Sequence, residues 1–162
     1  MSTTLSLSTE ITELINSLKE EFNQITEERK IELQTLGGMI TSQIKEHSTA
    51  KVTFVCTHNS RRSTLSEIWL RLAAAHYEMR TITSFSGGTE STAFNHRMVA
   101  AVKAAGIGLT TVKEDKVNPT YKLNLDTSAG DQGLMFSKKY DHEYNPSENL
   151  SLIHISEPTR PY

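Results

Sequence analysis

The sequence has little cysteine, since Cys56 is its only thiol. An internal disulfide and a zinc site built from several cysteines are therefore both excluded. A chain with one free thiol is most simply placed in a reducing compartment, and we predict a cytoplasmic location. A lone cysteine is more often a small buried hydrophobe than a catalyst, so its neighbours must decide its role.

Long apolar runs and a strong net charge are also lacking. No apolar run approaches the roughly 20 residues that a bilayer-spanning helix needs, which argues against a membrane protein. The N-terminus shows no basic start followed by an apolar block, so no secretory signal is predicted. The net charge of −2 gives no global basic field, which argues against nucleic acid as a partner. The six histidines show no metal-ligand spacing, and we expect neither a metal nor a cofactor.

What is present fits one globular domain of 162 residues, 36% of them hydrophobic. Between Leu7 and Ile25 the apolar residues recur at the spacing of a single helical stripe, with Ser8 or Thr9 as the N-cap. A second helix is predicted to begin after Thr26, which is followed by two acidic residues that favour a helix N-terminus.

A glycine pair interrupts the second helical pattern. Gly37 and Gly38 should weaken or break the helix. We predict that residues 1–48 form a helical hairpin that extends from the domain and packs on it. A partner-binding or dimerising arm stays open as the alternative, because both helices are amphipathic.

The next segment changes character to alternating strands and helices. Lys51–Cys56 reads as a buried strand, Ser63–Tyr77 as a helix and Thr81–Ser86 as a second strand. A further helix follows Asn95, its N-cap, and is closed by Gly106. Strand and helix in alternation with short connections predict a parallel βαβ unit with a right-handed crossover, and hence an α/β fold.

The later part of the chain gives weaker signals. Tyr121–Leu125 and Gly133–Tyr140 are predicted to form a small antiparallel hairpin at the sheet edge, joined by the turn sequence TSAGDQG. The polar stretch that follows, up to Asn149, is predicted to be a loop. Trp69 is predicted to lie in the core, and the Gly87–Gly88 pair to form a tight turn after its strand.

The last residues, LSLIHISEPTRP from Leu150 to Pro161, read like the translation of a transposon adapter used to make sequencing libraries. We therefore predict that residues 150–162 are a non-native tail and that the α/β domain, residues 49–149, is truncated. The alternative is a genuine tail of odd composition. LSLIHIS alternates enough to pair as a strand whatever its origin, and the coding DNA past codon 149 would decide.

The residues that carry chemistry lie between the first strand and the helix behind it. Ligands of open α/β sheets bind beyond the carboxyl ends of the strands, where helix N-termini point outward. The backbone N–H groups there can curl into a nest around an anion. We predict that the phosphate-binding residues are Thr57, His58, Asn59, Ser60, Arg61 and Arg62.

Two neighbours, Arg62 and Ser63, together with the start of the following helix, favour a catalytic role for the Cys56 thiol. A free thiol has a pKa of about 8.5, and a helix N-terminus or nearby cations lower that pKa to roughly 3.5–7.5. Ser63 is placed to donate a hydrogen bond to the thiolate, and Arg62 can hold two oxygens of an oxyanion with its planar fork. We therefore predict Cys56, Arg62 and Ser63 as the catalytic residues, with Cys56 as the nucleophile.

At these residues the sequence resembles the low-molecular-weight protein tyrosine phosphatases and the thioredoxin-coupled arsenate reductases that share their fold. The family loop runs Cys, two residues, Asn, two residues, Arg, Ser, which here is Cys56 to Ser63. The similarity covers roughly residues 51–109 and includes Ser86 to Ile107. It implies a parallel three-layer sheet of the low-molecular-weight phosphatase type, incomplete here, with Asn59 bracing the loop.

The resemblance also implies the activity: hydrolysis of phosphate monoesters or phosphotyrosine through a cysteinyl-phosphate. The first alternative is arsenate reduction, in which Cys56 attacks arsenate and later thiols, with thioredoxin as partner, release arsenite. The second is a non-catalytic anion-binding or interaction protein with the helical hairpin as its working surface.

The sequence departs from the family in four places. His58 stands where the family commonly has Gly, and Arg61 adds a second positive charge. The family's general acid is an Asp usually followed by Pro, and no Asp-Pro occurs here. The resolving cysteines of arsenate reductases are also missing. Four aspartates remain as loop candidates for the acid, although each is more simply a surface residue: Asp115, Asp126, Asp131 and Asp141.

Overall fold

The computed structural model describes residues 7–125 and 133–156. Four α-helices and six strands form within these ranges. The helices are α1 (Thr9–Glu20), α2 (Glu27–His47), α3 (Arg62–His76) and α4 (His96–Ala104). The strands are β1 (Ala50–Cys56), β2 (Ile82–Gly88), β3 (Gly108–Lys113), β4 (Thr120–Asn124), β5 (Leu134–Met135) and β6 (Leu150–His154).

The two N-terminal helices begin at the predicted caps. The Ser8 side chain accepts a hydrogen bond from the Ile11 N–H, and the Thr26 side chain accepts one from the Arg29 N–H. Gly37 and Gly38 were expected to weaken or break the helix, and they do not break it, because α2 runs through both as one helix of 21 residues. Each glycine costs about 1 kcal/mol relative to alanine, which weakens a helix of this length without ending it.

The two helices differ in how they meet the rest of the domain. Ile11 and Ile15 of α1 are buried in the main apolar cluster. In α2 only Gln43 is buried. Its amide nitrogen donates to the Asn149 carbonyl at 2.9 Å, and its amide oxygen accepts from the Lys51 N–H at 2.8 Å. One end of α2 is thus fixed beside β1, while most of its surface faces solvent.

A parallel sheet in the order β2-β1-β6 carries the fold. The register pairs Ala50 with Ile82 and Cys56 with Gly88, so β1 and β2 end together. Helix α3 connects these strands and packs on both. The predicted α/β class and the parallel βαβ unit are confirmed.

Strand β6 consists of residues that were predicted to be a non-native tail. It pairs parallel with β1 on the edge opposite β2, from Lys51–Leu150 to Val55–His154. The alternation of LSLIH suits such a slot, as expected for any origin of the segment. The origin of residues 150–162 stays a prediction.

A second, antiparallel sheet has the order β3-β4-β5. The predicted pairing of the YKLN and GLMF segments is confirmed, since Tyr121 pairs with Met135. The hairpin belongs to a separate sheet, because β4 pairs on its other side with β3. The end of its second segment nevertheless reaches the predicted edge of the parallel sheet, where Lys139 forms a parallel bridge with Gly88 of β2. Most β3 residues are exposed and show little alternation, which is why the sequence did not reveal this strand. The turn between β4 and β5 falls largely outside the described residues.

The main apolar cluster joins helices α1, α3 and α4 to the antiparallel sheet. Its buried members are Ile11, Ile15, Ile68, Leu72, Phe94, Val99, Val102, Ile107, Leu109, Leu123, Leu125 and Met135. Trp69 is not among them and is 41% exposed, so its predicted core position is wrong. Helix α3 instead buries Glu67 and Arg71 toward the parallel sheet, and Trp69 lies on another side of the helix. No helix of residues 7–125 and 133–156 is long and apolar enough to cross a membrane.

Candidate active site

The loop that follows β1 begins at Cys56 and passes directly into α3 at Arg62. Its turn depends on Asn59, which is fully buried and has a left-handed φ of 46°. Asparagine is among the residues that adopt this backbone conformation most readily. Asparagine at position 59 therefore suits both the left-handed backbone and the hydrogen bonds that its side chain makes.

Each carbonyl of the loop is bound by a donor outside its curve. Because C=O and the following N–H point in opposite directions across a trans peptide, these contacts turn the N–H groups of residues 57–62 toward the loop interior. The donor–acceptor pairs are Thr89 N–H to Cys56 O (3.1 Å), Glu90 N–H to Thr57 O (2.8 Å), Ser137 Oγ to His58 O (2.8 Å), Thr64 Oγ1 to Asn59 O (3.2 Å), Asn95 N–H to Ser60 O (2.9 Å) and Leu65 N–H to Arg61 O (2.9 Å).

This orientation makes the loop a concave array of donors at the N-terminus of α3. Converging N–H groups and the positive end of a helix dipole both favour a bound anion. The backbone arrangement is compatible with the anion nest expected at residues 57–62, and binding of an anion there stays a prediction.

The Cys56 thiol lies at the base of this array. Its residue is only 2% exposed, but it is not a member of the main apolar cluster. Burial raises the pKa of the thiol, while the Ser63 hydroxyl and the N–H groups of Ser63, Asn59 and Ser60 lower it further than burial raises it. The net result is a pKa below the ordinary value of a cysteine thiol, which favours the thiolate.

Ser63 Oγ and Cys56 Sγ lie 3.0 Å apart, within hydrogen-bond distance. The Lys138 N–H donates to Oδ1 of Asn59 at 2.9 Å, and Nδ2 of Asn59 donates to the Ser63 oxygen at 2.9 Å. These bonds leave the Ser63 hydrogen free for the sulfur. Once Cys56 is ionised its sulfur can only accept, so Ser63 is then the donor and stabilises the thiolate.

Arg62 is half-buried, and its guanidinium lies near the end of β6. Its Nη1 donates to the Ile155 carbonyl at 3.1 Å. Ile155 N–H in turn donates to the Val55 carbonyl, immediately before the nucleophile position. The Arg62 side chain is thus bound to the chain that leaves β6, and its predicted contact with an oxyanion stays a prediction.

His58 and Arg61 form the exposed rim of the loop. Nε2 of His58 lies 3.6 Å from Oε2 of Glu90, with both side chains more than half exposed. Glu90 was not singled out from the sequence. Exposed contacts of this kind contribute little to stability, so we expect this one to affect the charge at the rim of the loop more than the stability of the fold.

An ion pair behind the loop was also missed by sequence reasoning. Glu67 and Arg71 are buried and lie 3.2 Å apart, one helical turn from each other on α3. Ser86 Oγ donates to the other Glu67 oxygen at 2.6 Å, and Arg71 donates to the Ser84 carbonyl at 2.7 Å. The i,i+4 spacing of opposite charges was the available signal. The network fastens α3, and with it the loop, to β2.

The segment after β5 covers the outer side of the loop. Ser137 and Lys138 are both 2% exposed. The Lys138 ammonium has no hydrogen-bond partner and lies 4.7 Å from the Phe136 ring centroid and 5.4 Å from that of Tyr144. Burial lowers the pKa of this lysine, although the nearby Glu67 carboxylate acts in the opposite direction. No pattern of neighbouring residues predicts that a lysine at this position is buried.

Gly88 allows β2 to approach the loop closely. A Cβ at this position would lie 2.6 Å from the Thr57 carbonyl oxygen and 2.8 Å from the Asn59 nitrogen. Any side chain would therefore push the loop backbone outward. The predicted tight turn at Gly87–Gly88 is wrong, because both glycines are the last residues of β2 and pair with Val55 and Cys56. Gly88 instead makes room for the loop that follows β1.

None of the aspartates is placed as a proton donor by the described residues. Asp115 accepts hydrogen bonds from the Val117 and Asn118 N–H groups, which lower the pKa of its carboxyl and keep it ionised. It borders a groove of about 580 Å³ that also reaches Ser60. Asp141 is exposed, while Asp126 and Asp131 lie outside the described residues. Among the described residues, no group of three or more His, Cys, Asp or Glu side chains could hold a metal ion.

Comparison with known proteins gives one match. Residues 51–127 match the family model described as low molecular weight phosphotyrosine protein phosphatase. The matched segment contains the whole loop, α3, β2 and α4. No curated protein and no solved structure matches the chain.

Proposed function

We propose that this chain hydrolyses phosphate monoesters, phosphotyrosine among them, with Cys56 as nucleophile, because residues 51–127 match the family model described as low molecular weight phosphotyrosine protein phosphatase. The observation that supports the proposal most directly is the set of outer hydrogen bonds on the loop carbonyls. They favour an inward orientation of the amides of residues 57–62, and the N–H groups of Asn59 and Ser60 are among the donors that lower the pKa of the Cys56 thiol. Such a prearranged donor array is the feature that stabilises a charged transition state.

In the proposed first step, the Cys56 thiolate attacks the phosphorus of the ester. A sulfur–phosphorus bond forms, and the bond between phosphorus and the leaving oxygen breaks. The leaving oxygen departs with the electron pair of that bond, and the resulting alkoxide or phenoxide takes up a proton from water. The amides of residues 57–62 and the Arg62 guanidinium hold the equatorial oxygens, so the charges of the thiolate and the phosphate can approach each other.

In the second step, water attacks the phosphorus of the cysteinyl-phosphate. The sulfur–phosphorus bond breaks, the water loses a proton, and inorganic phosphate leaves with the Cys56 thiolate restored. The hydrogen bond from Ser63 makes the sulfur a better leaving group here, because it stabilises the negative charge that returns to it. Arg62 exchanges the Ile155 carbonyl for phosphate oxygens when substrate is bound.

The test substrate should have a leaving group that can depart without being protonated. Asp115 is held ionised by backbone donors and is a poor general acid. We therefore expect hydrolysis to be fastest for esters of acidic phenols, such as p-nitrophenyl phosphate, which leave without protonation. Alkyl phosphates should be much slower.

The test is release of p-nitrophenol and inorganic phosphate by the full chain, compared with Cys56→Ser. We expect turnover in the parent and none above background in the variant, because a serine hydroxyl is not ionised near neutral pH. Iodoacetamide should alkylate Cys56 readily below pH 8, and inorganic phosphate should slow that reaction by occupying the nest. A parent chain that alkylates only as fast as an ordinary thiol and gains no protection from phosphate contradicts the proposal.

Arsenate is the second oxyanion to include in the same assay. The attack of Cys56 on arsenate requires the same nest, but reduction to arsenite needs two further electrons from thiols. Residues 1–162 contain one cysteine, so a second thiol must come from outside these residues. Arsenite release that depends on added thioredoxin, with no hydrolysis of aryl phosphates, would assign the site to arsenate reduction instead. Because the thiolate must stay reduced, we place either reaction in the cytoplasm.

A further inference from the structure

We propose that Ser137, which lies outside the matched segment 51–127, is a positioning residue for Cys56. Its hydroxyl holds the His58 carbonyl and so aims the Asn59 N–H at the sulfur. The catalytic consequence rests on the proposed function, but the effect on the thiol does not, since it can be measured without turnover.

The direction of the Ser137 hydrogen bond follows from its two partners. The Thr92 N–H donates to the Ser137 oxygen at 2.8 Å, and a backbone N–H has no other role. The Ser137 hydrogen is then available to the His58 carbonyl, whose oxygen lies 2.8 Å away. This bond joins residues that are 79 positions apart in the chain.

The backbone of Ser137 is held independently by one amide. Ser137 N–H donates to Oδ1 of Asn118 at 3.1 Å, and Nδ2 of Asn118 donates to the Ser137 carbonyl at 2.8 Å. This paired contact fixes the residue in two directions. The hydroxyl is therefore presented to the loop from a rigid support, which is what a positioning group requires.

The His58–Asn59 peptide connects Ser137 to the thiol. With the His58 oxygen held outward, the Asn59 N–H of the same peptide plane points inward, where it is one of the donors that lower the pKa of Cys56. The other loop carbonyls receive a backbone N–H or the nearby Thr64 hydroxyl. The His58 carbonyl depends on side chains, and its second donor, Thr92 Oγ1, is more distant at 3.4 Å.

The test is the pH dependence of Cys56 alkylation by iodoacetamide in Ser137→Ala. Loss of the outer bond should let the peptide turn and weaken the Asn59 donor, so the alkylation midpoint should rise by about half to one pH unit, a loss of roughly three- to tenfold in thiolate at lower pH. Ser137→Thr keeps a hydroxyl and should restore the midpoint. Thr92→Val, which removes only the longer bond, is the matched control and should shift it least.

A folded Ser137→Ala whose alkylation midpoint equals that of the parent overturns the inference, and so does a Ser137→Thr variant that behaves like the alanine variant. Should Ser137→Ala not fold, Asn118→Ala takes its place, because it loosens the support and keeps the hydroxyl. A raised midpoint then supports the role of Ser137, and an unchanged one overturns it. If the midpoint rises as expected but the parent hydrolyses no aryl phosphate, the proposed function fails while the positioning role stands.

Discussion

The loop from Cys56 to Arg62 and helix α2 differ strongly in how the rest of the chain holds them. Every carbonyl from Cys56 to Arg61 accepts a hydrogen bond from a donor outside the loop, and these donors lie just after β2, in α3, at the N-cap of α4 and in the segment after β5. In α2 only Gln43 is buried, and Cβ atoms added at Gly37 or Gly38 would contact nothing within 4 Å. Substitutions near the loop should therefore disturb the direction of its backbone N–H groups, whereas most of the α2 surface should tolerate substitution.

The largest loss within the loop is expected from Arg62→Lys. Lysine keeps the charge but lacks the planar fork that holds two oxygens at once. We expect kcat/KM for p-nitrophenyl phosphate to fall on the order of 10²-fold or more, as for loss of a major transition-state donor. Arg29→Lys, on the exposed surface of α2, is the control and should change the rate little. An Arg62→Lys variant as active as the parent would show that charge alone matters here.

The next effect is expected from Gly88→Ala, which tests how tightly β2 holds the loop. The new methyl group would press on the Thr57 carbonyl and the Asn59 nitrogen. Overpacking against backbone costs about 1–3 kcal/mol, so we expect a lower free energy of unfolding in urea and slower alkylation of Cys56. If the variant is as stable and as reactive as the parent, the loop is less constrained than its contacts indicate.

A smaller and more specific effect is expected from Ser63→Ala, read as the pH dependence of alkylation. Without the hydroxyl the pKa of Cys56 should rise, so the midpoint moves to higher pH by about one unit and thiolate is lost at neutral pH. Because the pKa of Cys56 is lowered in the folded protein, its ionisation stabilises the fold above the ordinary thiol pKa, and this stabilisation is lost as the pH falls through the folded-state pKa. The free energy of unfolding of Ser63→Ala should therefore depend less on pH than that of the parent. Ser66→Ala is the control, since that hydroxyl bonds to the Arg62 carbonyl instead.

The smallest effect on chemistry is expected in α2. Gly37→Ala should raise the free energy of unfolding by up to about 1 kcal/mol, because alanine favours the helix and has open space there. Alkylation of Cys56 and phosphate hydrolysis should not change. Gly106→Ala is the contrasting control: its φ of +80° and a Cβ 3.0 Å from Glu10 predict destabilisation. A Gly37→Ala variant that loses stability or changes oligomeric state would reveal a partner on α2.

The N-terminal caps and the βαβ order followed from local patterns, because Ser8, Thr26 and the strand Ala50–Cys56 obey rules that act over a few residues. The same patterns wrongly predicted that Trp69 is buried. Burial of a helix face depends on what packs against it, and α3 buries Glu67 and Arg71 while Trp69 stays exposed. Strand β3 escaped notice because pairing with β4, rather than its own composition, makes it a strand.

The order of residues along the chain is enough to predict a thiol, an asparagine, a guanidinium and a hydroxyl at fixed spacing between a strand and a helix. It does not predict the direction of the loop amides, which depends on the folded structure. Their direction depends on donors such as Glu90, Asn95 and Ser137, which are distant in the chain and become neighbours when β2, α4 and the segment after β5 converge on the end of β1. Spacing along a chain specifies residue types, whereas peptide orientation is set by whichever partner satisfies each carbonyl.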